Sequence, residues 1–76
     1  MPRSVQFQFR QLEAMAISGP RDEWEQTRQE IVQIIEQVAD QLRGIYERNG
    51  KDERAFSEEA QPVLDDARRK VEALRQ

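Results

Sequence analysis

The stretch WEQTRQEIVQIIEQVADQLRGIYERN, residues 24–49, decides the fold. Trp24, Arg28, Ile31, Ile35, Val38, Leu42, Ile45 and Asn49 follow one another in alternating steps of four and three. That spacing keeps one stripe of a helix facing the same way, as a coiled-coil or bundle seam requires. A helix over residues 20–48 would be roughly 42 Å long at 1.5 Å per residue. A compact chain of this size has a radius of gyration of only about 11 Å, so a sphere cannot contain it. The expectation is an elongated, all-α protein that needs a partner along the length of this helix.

Outward from that stretch, the punctuation is clear on both sides. Ser18-Gly19-Pro20 precedes it, and proline suits a first helical turn, where its missing N–H is no loss. Asp22, Glu23 and Glu25 add negative charge where the helix dipole favours it, and Asp22 with Glu25 reads as a capping pair. The start is therefore expected within residues 20–22. Asn49-Gly50 closes the helix, because glycine accepts the left-handed conformation that follows a helix end. Gly44, inside it, marks a bend or a close helix approach.

A third segment, residues 52–75, repeats the pattern with Ala60, Leu64, Ala67, Val71 and Leu74, flanked by Phe56 and Val63. Asp65 with Arg69 and Asp66 with Lys70 are pairs four residues apart in the stabilising order. Pro62 is expected to kink this helix or restart it after Gln61. The short connection at Gly50 is the length of an antiparallel helical hairpin. Ala60 and Ala67 would then allow close contact with Ile31, Ile35, Val38 and Leu42.

The first segment, residues 1–19, reads two ways. Val5, Phe7 and Phe9 alternate with Gln6, Gln8 and Arg10, which is strand periodicity. Val5, Phe9, Leu12 and Ala16 also step by four, three and four, which is helix periodicity. The favoured expectation is an extended start to Phe9 and a short helix over residues 10–17; a helix throughout is the alternative.

The second helix carries more apolar surface than one neighbour covers. Val32, Ala39 and Tyr46 form a second stripe spaced by seven, and Ile34 stands on the opposite flank. The other neighbour is either the first segment or a second copy of the chain. Seventy-six residues make one domain near the lower limit for an unassisted core, burying only about 60% of the unfolded surface. With no cysteine and no histidine, disulfides and soft or imidazole metal ligands are excluded. Oligomerisation remains the natural aid, with Val32, Ile34, Ala39 and Tyr46 as its expected surface. The expected assembly is a homodimer or higher oligomeric bundle that binds another protein.

Missing histidine and cysteine also remove the ordinary base near neutral pH and the thiol nucleophile, so no enzyme and no cofactor is expected. The adjacent acids Glu58-Glu59 and Asp65-Asp66 point about 100° apart on a helix and read as solvated charge. Net charge is −3, which offers no general attraction to nucleic acid or to an anionic membrane. No apolar run approaches the roughly 20 residues of a membrane span, and the first ten residues lack the continuous apolar core of a signal peptide. A cytoplasmic location is the expectation.

The one cluster with ligand-binding chemistry is Arg21, Trp24, Thr27 and Arg28 at the start of the long helix. Two guanidiniums beside a helix N-terminus can hold a phosphate or carboxylate, and an indole can stack on a base, as in a nucleotide. The competing reading makes Trp24 a cap on the bundle end, with its arginines paired to Glu23, Glu25 or a partner's acids. Arg28 holds a seam position where an aliphatic residue is expected, and a charge there often sets register. Val5-Gln6-Phe7-Gln8-Phe9-Arg10 resembles the strand of ribbon-helix-helix repressors over six residues. The resemblance implies a DNA-binding regulator whose Gln6, Gln8 and Arg10 face the major groove. In that family a helix follows almost directly, whereas here about ten residues and a Gly-Pro break intervene. With a negative net charge as well, no duplex binding is expected.

Overall fold

Three α-helices follow one another in the computed structural model, which describes residues 2–17 and 24–76: α1 (Arg3–Met15), α2 (Trp24–Asn49) and α3 (Glu53–Arg75). There is no strand among the described residues. The 26-residue α2 sets the shape, a rod of 44 × 17 × 16 Å with a radius of gyration of 13.2 Å. No described helix is long and apolar enough to cross a membrane.

Helices α2 and α3 lie side by side in opposite directions. Arg48, near the end of α2, bonds to Glu59 of α3 at 2.7 Å, while Trp24 at the start of α2 lies beside Arg75 at the end of α3. The seam residues Ile31, Val38, Leu42 and Ile45 of α2 are buried against Phe56, Ala60, Leu64, Ala67 and Val71 of α3. Between them Gly50 adopts φ 58° and its N–H donates to the Tyr46 carbonyl, while the Asn49 amide donates to the Ile45 carbonyl. The bond to Tyr46, with a second from the Asp52 N–H to the Asn49 carbonyl, satisfies two of the orphan carbonyls of α2. Asp52 then caps α3 by accepting from the Ala55 N–H at 3.0 Å.

Pro62 neither ends nor restarts α3, which runs unbroken through it. Proline denies a hydrogen bond to the Glu58 carbonyl, but both residues are exposed, so that oxygen is not cut off from solvent. The buried face on the other side keeps the helix seated. Nor does Asp65 pair with Arg69: its carboxylate accepts from the Gln61 amide at 2.9 Å, and Arg69 and Lys70 both reach Asp66. The expected start of the second helix at residues 20–22 lies outside the described residues.

The first segment is a helix from Arg3, and the extended start to Phe9 is not formed. Burial shows why. In a helix Val5, Leu12 and Ala16 enter the core together, Val5 at 1% exposure, with Phe9 packed beside them. The strand pattern would have aligned Phe7 with Val5 and Phe9, yet Phe7 is 63% exposed. A lone strand would also leave its backbone groups unpaired, since no other strand is present among the described residues. α1 runs in the same direction as α3: Gln8 exchanges two amide hydrogen bonds with Gln61, both 3.0 Å, and the Met15 carbonyl accepts from Arg75. It packs more extensively on α3 than on α2.

The expected close approach at Gly44 is absent, because a Cβ built there meets no atom within 4 Å. Gly44→Ala should therefore raise the unfolding free energy by up to about 1 kcal/mol through helix propensity alone. Urea denaturation monitored by circular dichroism checks this.

Candidate interaction surface

The second stripe of α2 finds its first neighbour within the chain. Val32 and Ala39 are half-buried on the side of α2 that faces α1, while Ile34 packs half-buried against the same core. α1 does not fill this side completely. Two open hollows remain between the helices, one of about 320 Å³ lined by Phe9, Ala39, Leu42, Arg43 and Tyr46. The other, about 240 Å³, lies among Ala16, Ile17, Val32 and Ile35, with the charged Glu13, Arg28 and Glu36 at its walls. Val32 and Ala39 are seven residues apart, so the hollows are roughly 10 Å apart along α2, two helical turns. Tyr46 is 48% exposed, with its ring edge-on to Phe56 at 5.9 Å between centroids.

Among the described residues, the remaining large exposed apolar side chains lie on α1: Phe7 and, just beyond its end, Ile17, which is 75% exposed. Arg3, Phe7, Arg10 and Ala14 step by four, three and four, and all are exposed, while Ile17, in the turn after the helix, borders the second hollow. α1 therefore carries a second seam on the face opposite its buried one. Its signal was present in the sequence, but it becomes legible only once residues 3–15 are known to be helical and Val5 and Leu12 are known to face inward.

The arginine–tryptophan cluster is divided among different neighbours. Trp24 is half-buried; the Arg75 guanidinium carbon lies 5.5 Å from its ring centroid, and the indole Nε1 is buried without a hydrogen-bond partner among the described residues. Arg28 is exposed, pairs with Glu25 at 3.6 Å and borders the second hollow; Thr27 is half-buried. Arg21 lies outside the described residues. One face of the indole is thus taken by a cation of the chain itself, and its donor points inward rather than toward a ligand. The ribbon residues fare similarly: residues 5–10 are helical, and Gln8 is engaged with Gln61 and Ser4 rather than presented on a ribbon.

The Glu59 carboxyl is held below the ordinary glutamate value, chiefly by its hydrogen bond from Arg48, with burial opposing the shift. No group of three or more potential carboxylate ligands converges among the described residues. Comparisons with family models, with curated proteins and with solved structures give no match.

Two outcomes follow from these contacts. A lowered folded pKa means that the folded state binds fewer protons, so the Glu59 contribution is present above the ordinary glutamate value and is lost as pH falls through the lowered one. In urea titrations down the acid range, the stability difference between wild type and Arg48→Ala should shrink in that window. Nucleotide should leave the Trp24 emission and the melting temperature unchanged, whereas Arg75→Ala should shift that emission and lower the melting temperature.

Proposed function

We propose that this protein is a non-catalytic helical interaction module that works as a homo-oligomer. The observation that carries this reading is the Val32–Ala39–Tyr46 stripe: α1 docks beside it and still leaves two open hollows along it, the larger mostly apolar. Interfaces are built from apolar, partly aromatic surface of this kind. A domain of this size also lies near the limit of what its own core sustains. The chemistry points the same way. Without histidine or cysteine, the chain has no ordinary base for neutral pH. The lowered pKa of Glu59 belongs to an ion pair between exposed side chains rather than to a catalytic cleft.

The reading is tested by mass in solution. Sedimentation equilibrium at micromolar concentration should give a multiple of the 9.0 kDa chain mass. Ala39→Glu places a carboxylate in the larger hollow and should reduce that mass to the monomer while the helix content is retained. A wild type that sediments as a monomer, with a melting temperature independent of dilution, overturns the proposal.

A further inference from the structure

Resting on that self-association, we infer that the protein forms a symmetric dimer in which the outer seam of each α1 lies along the α1–α2 groove of the other copy. α1 contributes to surplus surface of both kinds, one wall of the groove and the outer seam. The groove offers open hollows with apolar side chains in their walls, and the outer seam of α1 offers Phe7, 63% exposed among the described residues. A two-fold interface uses the same patch on both subunits, so a projecting seam beside a matching groove is self-complementary and closes at two copies.

Charge selects a second copy as the occupant. The outer seam of α1 carries Arg3 and Arg10, seven residues apart. The exposed back of α2, beyond the groove, carries Asp40 and Glu47, also seven residues apart. None of these four has an ion-pair or hydrogen-bond partner among the described residues. Seven helical residues span about 10.5 Å, so both arginines can meet both acids at once, in whichever direction the two helices run. Phe7 and Ala14 then enter the groove, while Arg3 and Arg10 on the same stripe reach past its edge to the acids, a combination of apolar contact and charge pairing that sets helix pairing. An anionic membrane fits less well. Two bulky residues give little insertion, and the chain outside the two seam arginines has a net charge of −5, from −3 less +2.

Charge reversal tests this arrangement. All four side chains are exposed, so two double variants, Arg3→Glu with Arg10→Glu and Asp40→Lys with Glu47→Lys, should keep the helical circular dichroism of the wild type. Each alone should dissociate at least tenfold more readily in sedimentation velocity. An equimolar mixture should recover the dimer mass, because each mixed interface then pairs opposite charges. Phe7→Ser, which changes no charge, should also weaken the dimer and serves if a reversal variant fails to fold. If the wild type is dimeric and neither the reversals nor Phe7→Ser alters its mass, this docking is wrong and self-association stands on another surface. If the wild type is monomeric, both proposals fall.

Discussion

How closely α3 can approach α2 governs the rest of the structure. Ala60 and Ala67 sit in the middle of the α3 seam with almost no exposure, opposite the branched side chains of Ile31, Val38 and Leu42. Small residues facing large ones let two helices interdigitate, and each buried isoleucine, leucine or valine contributes roughly 1.5 to 3 kcal/mol. The two helices then define one long apolar trough. Phe56 and Val71 mark positions near its two ends, both at 1% exposure or less. Whatever the third segment does, it must offer side chains to that trough.

α1 meets the requirement with little help from its own ends. Pro2 supplies no side-chain cap, the first turn holds no acid, and Arg3 opposes the helix dipole there. Isolated helices of this length are marginal in water. Its helicity is therefore imposed by packing of Val5, Leu12 and Ala16, with polar ties at two levels. Gln8 and Gln61 satisfy each other midway, and Arg75 reaches the Met15 carbonyl at the end. That same guanidinium lies over Trp24, so one side chain touches the end of α1, the start of α2 and the end of α3. A residue type that invites a ligand-binding reading is here the clasp of a bundle end.

Side-chain economy of this kind separates the sites from the decoys. Trp24, Gln8 and Arg48 each have a partner within the chain, whereas among the described residues Arg3 and Arg10 have none and Phe7 and Ile17 stand exposed. Chemistry left unengaged after folding is what remains available for another molecule. By that measure the surface of interest runs from the outer face of α1 across the groove to α2.

What the sequence determined by itself was everything that depends on local periodicity and end signals. The α2 and α3 seams, the stop at Asn49-Gly50, the start of α3 near residue 52 and the use of Ala60 and Ala67 as contact residues were all readable, because each follows from helix geometry within a few residues. Three matters needed the tertiary structure. Residues 5–9 satisfy strand and helix periods together, and only the trough between α2 and α3 selects the helix, because it buries Val5 and Leu12 on one face with Phe9 packed beside them. Pro62 is compatible with an unbroken α3 only because its turn faces water while the opposite face is held in the core. The second stripe of α2 gains α1 as a neighbour only through the way the chain folds back, and the unfilled hollows along that contact are a property of two helices meeting, which no single stretch of sequence encodes.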